Sequence, residues 1–322
     1  MQNCVIFDKP NHLLLQALGK KCIDMHFHSR YSDTTVRIRS IIGQAAKKGI
    51  GVSITDHNEI AGSIKASKNK KNIMIIPGIE VSCIDGPHIL LYFYSFDELK
   101  EFFEKKVLPY RGANPYMQTN IRTEDLVNST TDCNCIRVAA HPFGYMISNS
   151  GLSKAIKKAC VAKEVMEKID GLETINGAVG RRLNRAAVEE AIKLGKHFTG
   201  GSDGHSLFQL GSVLTVSDAD SVEGFLNNIK KNNNLVIGRE FGIIPKIVPQ
   251  SHMLKTHAID YTVPTIKLQS RLLFGRAKGR VTKLGGAFKK RLQRNGIAKK
   301  AAQNGIVKKF GRKKKPAAQS KK

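Results

Sequence analysis

The chain has 322 residues, of which 41% are hydrophobic, and this is enough for one sizeable core. No run of about 18 or more apolar residues occurs, so we expect no transmembrane helix. The formal net charge is +27, and its distribution along the chain matters more than its size.

Residues 1–20 form a lead-in with a short apolar patch, LLLQAL. This segment has neither a basic stretch before the patch nor a small-residue cleavage site after it, so a secretory signal is not expected. The six cysteines are scattered along a chain too long to depend on disulfides, which favours a reduced, cytoplasmic setting.

Residues 21–244 alternate short apolar segments with helical patterns, which predicts an α/β domain. RIRSIIGQAAKKG and NRAAVEEAIKLGK have apolar residues at helical spacing and a glycine that suits a helix end. Continuously apolar strands are typical of parallel sheets buried on both faces, so we expect either a parallel barrel or a doubly wound sheet. The predicted strands are CIDMHFH, GVSITDH, IMIIPGIEVS, HILLYFY, IRVAAHP, GLETIN and HFTGGSD.

Polar residues follow nearly every predicted strand. In parallel α/β folds the carboxyl ends of the strands are where active sites form. A doubly wound sheet would place its ligand at one switch point, so contributions from so many strands favour a closed or nearly closed barrel. The residues concerned are His26, His28, Asp56, His57, Glu80, His141, Glu173 and Asp203.

Histidines are the strongest chemical signal. His26 and His28 are two residues apart on a strand, so both imidazoles can reach one metal ion. Asp33, taken alone, is better explained as a turn former or as a cap of the following helix. Six of the ten histidines fall at strand ends together with three carboxylates, which makes a chance arrangement improbable. The predicted metal ligands are His26, His28, Asp33, His57, Glu80, His88, His141, Asp203 and His205.

Nine ligands exceed the number that one zinc ion accepts and suit two or three divalent ions. Mixed imidazole and carboxylate donors favour zinc, manganese or iron over calcium and magnesium. Two such ions can hold a hydroxide between them and stabilise a phosphoryl transfer. The expected chemistry is therefore hydrolysis without a covalent enzyme intermediate.

These residues lie in motifs that resemble those of the polymerase and histidinol phosphatase (PHP) family over residues 8–240. The resemblance implies a distorted (β/α)7 barrel with a trinuclear metal centre at its carboxyl mouth, and hence a metal-dependent phosphoesterase. The motifs are DMHFHS, ITDHNEIAG, PGIEVS, HILLYF, AAHPFG, ETING and GGSDGH.

Carried over by motif, the resemblance implies three ion sites. Asp33 stands where many relatives have histidine, which would make the third site harder and more anionic. Asp56 would orient a neighbouring ligand or a helix start. The candidate catalytic residues are Asp203, His205 and His141. The implied sites are His26, His28, Glu80 and Asp203 for the first ion; Glu80, His88 and His141 for the second; and Asp33, His57 and His205 for the third.

Two arginines are candidates for substrate binding, because a guanidinium fork fits phosphate oxygens. Arg30 lies between the histidine pair and Asp33, and Arg182 follows the ETING segment, where a solvated helix face explains it equally well. Only about fifty residues separate His88 from His141, so we expect an open mouth without a large cap domain.

The strongly basic C-terminal tail comprises residues 245–322. From Phe241 to Lys322 the chain carries 22 lysines and arginines against one acid, Asp260, whereas the preceding 240 residues carry a net charge of only +6. Such a segment associates with nucleic acid through counterion release. An anionic membrane surface, or a merely solubilising or targeting extension, remains an alternative. Weak amphipathic helices and a disordered end are expected.

Together these features predict a phosphoesterase that acts on nucleotides or nucleic-acid ends through a metal-bridged hydroxide. One alternative is a histidinol-phosphate-type phosphatase of small molecules, in which the tail is irrelevant. The other is a non-catalytic nucleic-acid-binding scaffold, which nine desolvated ligands argue against.

Overall fold

The structure is a computed structural model that describes residues 4–69, 71–112, 114, 116–144 and 151–241. Each of the seven predicted strand segments contains a strand, and three short strands were not predicted. The strands are β1 (Cys4–Ile6), β2 (Lys21–Phe27), β3 (Gly51–Ile54), β4 (Ile75–Ile76), β5 (Gly78–Ser82), β6 (His88–Phe93), β7 (Cys135–Ala139), β8 (Gly171–Asn176), β9 (His197–Gly201), β10 (Val213–Ser217) and β11 (Leu235–Gly238).

Helices cover the strands. Both predicted helices form, and each ends at a glycine in the left-handed region, Gly49 and Gly195, as their sequences suggested. Short 3-10 or π turns occupy Phe103–Val107, Leu108–Tyr110 and Lys163–Lys168. The α-helices are α1 (His12–Ala17), α2 (Ile38–Lys48), α3 (Ala61–Ser67), α4 (Phe96–Phe102), α5 (Thr123–Ser129), α6 (Leu152–Lys157), α7 (Arg181–Leu194) and α8 (Val222–Lys230).

The described strands form two sheets. The six-stranded sheet has the order β1-β11-β10-β2-β3-β4, and the five-stranded sheet has the order β5-β6-β7-β8-β9. The α/β class is confirmed, but the closed (β/α)7 barrel is not, because the strands do not form one continuous sheet. The segment IMIIPGIEVS is divided between the two sheets, since Pro77 lies between β4 and β5 and has no amide hydrogen for a ladder.

The expectation of all-parallel strands was wrong. β6 runs antiparallel to both β5 and β7, and β10 runs antiparallel to β2 and β11. Only residues 83–87 connect β5 to β6, and a parallel connection needs about a dozen residues or more. As a result His88, the first residue of β6, lies at the same end of the sheet as the last residues of its antiparallel neighbours β5 and β7.

Backbone hydrogen bonds join the two sheets on both sides of the predicted site. On one side the Asp203 amide donates to the His26 carbonyl at 2.8 Å, and the His28 amide donates to Gly204 at 3.1 Å. On the other side the Asn58 amide donates to Glu80 at 2.8 Å. Each of these bonds involves a predicted ligand or its immediate neighbour, so the junctions between the sheets fix the geometry of the site.

One glycine makes the first junction feasible. A Cβ atom on Gly201, at the end of β9, would lie 2.4 Å from the backbone nitrogen and from the Cβ atom of His26. Only a residue without a side chain allows β9 to approach β2 so closely. The second glycine of the GGSD sequence therefore allows the close packing that places Asp203, a predicted ligand, beside β2.

Within the described ranges, no helix is long and apolar enough to cross a membrane. The basic tail, residues 245–322, lies outside the described residues, as do its predicted amphipathic helices. The three-part division at residues 20 and 244 therefore stays a prediction.

Candidate metal centre

All nine predicted metal ligands converge at one end of the two sheets. His26 is in β2, Glu80 in β5 and His88 at the start of β6, and the remaining six lie in loops that follow β2, β3, β7 and β9. Their side chains form overlapping groups of nitrogen and oxygen atoms. These groups are His26, His28 and Asp203; His28, Asp33 and His205; His28, His57 and Glu80; and Glu80, His88 and His141.

Glu80 is the hub of the cluster and is fully buried. One carboxylate oxygen, Oε1, lies 3.0 Å from His88 Nδ1 and 3.2 Å from His141 Nε2. The other, Oε2, faces three further imidazole nitrogens. Their distances are 2.9 Å for His57 Nδ1, 3.3 Å for His26 Nε2 and 3.4 Å for His28 Nε2.

The deepest donors surround Asp203. His26 Nε2 and His28 Nε2 face each other at 3.1 Å, and Asp203 Oδ1 is 3.1 Å from the nitrogen of His28 and 3.6 Å from that of His26. Two imidazole nitrogens that face one carboxylate oxygen form the kind of donor set that binds a transition-metal ion.

Asp33 organises the outer part of the cluster. Its Oδ2 atom lies 2.7 Å from His205 Nε2 and 3.5 Å from His57 Nε2, and its Oδ1 atom lies 3.5 Å from His28 Nδ1. Asp33 is not a helix cap, because α2 begins at Ile38 and Arg37 is its N-cap residue.

The carboxylates in the cluster are held in the charged form. Burial raises the pKa of the Glu80 carboxyl, but the surrounding imidazoles, His57 and His26 foremost, hold that pKa well below its usual range. The pKa of Asp203 is likewise held low against burial, mainly by His26. Burial lowers the pKa of His88 to about 4 despite the nearby Glu80, so this imidazole keeps a lone pair available for a ligand.

One oxygen atom of Glu80 indicates that the donor set suits divalent metal ions. Glu80 Oε2 is a buried carboxylate oxygen that forms no hydrogen bond of acceptable geometry, although three imidazole nitrogens lie within 3.4 Å. A buried anionic oxygen without such bonds is costly unless a cation is close by. Three nitrogen donors around it supply the rest of a coordination sphere.

Sequence comparison agrees with this geometry. A family model described as "PHP domain" matches residues 24–172, and one described as "PHP-associated" matches residues 181–234. The chain belongs to the PHP family. An uncharacterized protein of Methanocaldococcus jannaschii is 34% identical over 186 residues, which are 53% of this chain and 91% of that protein.

Solved structures share the fold. Endonuclease Q of Pyrococcus furiosus superposes with a TM-score of 0.54 at 20% identity over 67% of this chain, which spans only 57% of that protein. A two-domain Bacteroides vulgatus protein, described as containing a predicted PHP-like metal-dependent phosphoesterase, gives a TM-score of 0.50 at 16% identity, over 77% of this chain and 73% of its own. At these identities the similarity establishes the PHP fold alone.

Hydroxyl groups and a buried carboxylate brace the loop that carries Asp33. Asp56 accepts hydrogen bonds from the Ser29 amide and hydroxyl, both at 2.6 Å, and from the Ser32 hydroxyl at 3.1 Å. Ser32 Oγ is also 3.3 Å from His28 Nδ1. Burial raises the pKa of Asp56 to about 7. The predicted orienting role of Asp56 thus has a physical basis in this loop.

Two residues of the ETING segment were not assigned a role from the sequence. Glu173 Oε1 lies 2.9 Å from His26 Nδ1, and the Asn176 amide group donates to Asp203 Oδ2 at 3.1 Å. The signal that identified Glu80, a carboxylate in an otherwise apolar strand, is equally present at Glu173.

Two site residues have strained backbones. His141 has φ of 28° and Asp203 has φ of 51°, in the left-handed region that side chains other than glycine rarely adopt. Such conformations persist where surrounding contacts over-determine them, and they concentrate at functional sites.

The predicted substrate arginines are both exposed. Arg30 lies in the loop between His28 and Asp33, and Arg182 is the second residue of α7, which follows β8 on the side of the cluster. Neither guanidinium forms an ion pair with any residue in the part of the chain that is described. Arg181, the residue before Arg182, does form an ion pair, with Glu240 at 2.7 Å.

Proposed function

We propose that the protein is a metal-dependent phosphoesterase whose nine clustered donors bind two or three zinc, manganese or iron ions. The observation that carries this proposal is Glu80, a buried carboxylate whose two oxygens face five imidazoles. Membership of the PHP family and the mixture of donor types support the same assignment.

When bound, the ions supply Lewis-acid chemistry, since they acidify a water molecule and neutralise phosphoryl oxygens. The protein residues provide the rest. Glu80 spans the cluster, while Asp203 and His141 are held in fixed, strained backbone positions beside it. The imidazole of His205 is partly exposed, so a phosphate ester that enters from solvent meets the cluster on the side of this residue.

We propose that Arg30 and Arg182 bind phosphate oxygens of the substrate, because both guanidinium groups are exposed and remain unpaired within the described ranges. We infer nucleotides or nucleic-acid ends as the substrate class from the net charge of +21 over residues 241–322. A related endonuclease Q structure is of a complex with a 27-mer duplex carrying an abasic lesion, so in that protein the fold accommodates DNA.

A reducing, cytoplasmic location is part of the same proposal. All six cysteines lie within the described residues and all are free thiols, four of them at least partly buried. A protein of an oxidising compartment more often pairs its cysteines.

The test is phosphate release from a panel of nucleotides, short oligonucleotides and histidinol phosphate, with the Asp203→Ala variant measured alongside. We expect release that depends on added zinc or manganese and that Asp203→Ala abolishes. Strong turnover of histidinol phosphate alone would indicate the small-molecule phosphatase instead. Absence of release with every substrate and metal would contradict the enzymatic proposal.

A separate experiment tests whether the tail binds nucleic acid while the preceding domain carries out hydrolysis. Removing residues 245–322 should weaken salt-sensitive binding of an oligonucleotide and leave hydrolysis of a small chromogenic phosphate unchanged. Equal loss of both properties would contradict a tail that acts only in nucleic-acid binding.

A further inference from the structure

Glu173 is the centre of a second polar group behind the metal cluster. It lies in β8, between β7 and β9 in the five-stranded sheet, and its side chain is 2% exposed. Three donors reach its carboxylate. They are His26 Nδ1 at 2.9 Å from Oε1, and the His141 backbone amide at 2.7 Å and Asn176 Nδ2 at 2.9 Å from Oε2.

The contact with His26 fixes the tautomer of that imidazole. A carboxylate only accepts hydrogen bonds, so Nδ1 of His26 carries the proton that it donates to Glu173. In the neutral ring Nε2 then has a free lone pair. This nitrogen points into the cluster, where Glu80 Oε2 and His28 Nε2 lie 3.3 and 3.1 Å away. A metal-binding histidine commonly donates its other ring nitrogen to a carboxylate in this way.

The contact with His141 supports a strained backbone. His141 has φ of 28° and precedes Pro142, and its amide donates to Glu173 rather than to a strand neighbour. The hydrogen bond is short and its acceptor is a carboxylate oxygen, which makes it strong. Glu173 therefore contacts two predicted ligands, His26 and His141, which lie on either side of Glu80.

Asn176 extends the arrangement to a third strand. Its amide group donates both to Glu173 Oε2 and to Asp203 Oδ2, at 2.9 and 3.1 Å. Asn184 of α7 fixes Asn176 in turn, accepting from its backbone amide at 3.1 Å and donating to its carbonyl at 3.0 Å.

We propose that Glu173 and Asn176 are positioning residues that align metal ligands from β2, β7 and β9, with Glu173 selecting the His26 tautomer that presents Nε2. The inference rests on the metal centre proposed above. It assigns neither residue as a ligand, since Glu173 faces the protonated nitrogen of His26 and not the cluster interior.

Glutamine at position 173 is the sharpest test, because it keeps the size but has only one acceptor oxygen. Either His26 Nδ1, or the His141 amide together with Asn176 Nδ2, must then face an NH2 group. We expect Glu173→Gln to weaken Zn²⁺ binding by about 10- to 100-fold in chelator competition. We also expect an altered visible absorption spectrum of the Co²⁺-loaded protein.

Asp170→Asn is the matched control. Asp170 immediately precedes β8, accepts from the Arg137 amide at 2.8 Å and pairs with its guanidinium at 2.9 Å, so its substitution perturbs the other end of the strand. We expect Asp170→Asn to keep the parental Zn²⁺ affinity and metal-free Glu173→Gln to keep the parental unfolding temperature. Together these results would show that Glu173 positions the ligands and does not merely stabilise the fold.

Should Glu173→Gln fail to fold, Asn176→Ser tests the same idea, with an expected loss of Zn²⁺ affinity of about 10-fold. Parental affinity and an unchanged Co²⁺ spectrum in Glu173→Gln, or an equal loss in Asp170→Asn, would overturn the inference. A parent protein that binds no metal would instead refute the proposed function, so the two failures are distinguishable.

Discussion

The proposed metal centre has two layers of donors that differ in their access to water. Side chains of the inner layer are completely shielded from solvent, whereas those of the outer layer retain 14 to 19% of their surface. The inner layer consists of His26, His28 and Glu80. The outer layer consists of His57, His88 and His205.

The difference in exposure suggests that the donors have different roles in the two layers. Inner donors are desolvated and fixed by carboxylates such as Glu173, so their geometry is set before any ion or substrate arrives. Outer donors contact solvent, and a substrate must approach from their side. We therefore expect the inner layer to govern ion affinity and the outer layer to govern catalysis.

The largest effect should come from removing the ions. We expect a chelator to abolish phosphate release and zinc or manganese to restore it. Since ions that bind only the folded state stabilise it, saturating metal at 100 times Kd should add about 2.7 kcal/mol per site to the free energy of unfolding. Because ions held by the outer donors should be removed by the chelator first, release of all ions in a single kinetic phase would contradict the division into two layers.

Glu80→Gln comes next, since this inner side chain faces five imidazoles. We expect loss of two ions and a fall in kcat of about 10³-fold or more, as found when a key electrostatic stabiliser is removed. Metal analysis and steady-state kinetics measure the two effects. Retention of every ion would mean that Glu80 is not the hub.

His205→Ala tests the outer layer, with an expected fall in kcat of about 10²-fold and retention of the inner ions. His197→Ala is the matched control, because His197 begins β9, the strand that precedes the loop with His205, and its Nδ1 atom is hydrogen-bonded to Asn232 at 2.7 Å. Equal losses in the two variants would indicate a general effect on β9 rather than on the metal centre.

The smallest effect is expected for Asp56→Asn. Asparagine has one acceptor oxygen in place of two, so the loop from Ser29 to Asp33 loses part of its bracing. Ion affinity should fall by about 10-fold in chelator competition. Unchanged affinity would show that the hydroxyls of the loop hold it without Asp56.

Much of this layout could be predicted from the sequence, because the strands are apolar and end in chemically distinctive residues. The segments around His26, Glu80 and Asp203 each contain a strand, and their polar side chains meet as expected. The strand directions were less accessible. Apolar composition does not distinguish a buried parallel strand from an antiparallel one, and the short 83–87 connection was the neglected clue.

Contacts between side chains that are distant in the chain could not be predicted from the sequence. Glu173 and His26 are 147 residues apart, and only the neighbouring positions of the strands in space make them a pair. β10 and β11 were missed for a related reason. They are as long as several strands that were predicted, but their places in the sheet are defined by pairing with strands distant in the chain, β2 for β10 and β1 for β11.

The most direct test of the proposed metal centre is the metal content of the purified 322-residue chain, measured by mass spectrometry before and after incubation with zinc or manganese. Two to three ions per chain are expected in the parent, and fewer in Glu80→Gln. A protein that contains no transition metal and takes up none would contradict the central claim, because the nine clustered donors would then have no ion to bind.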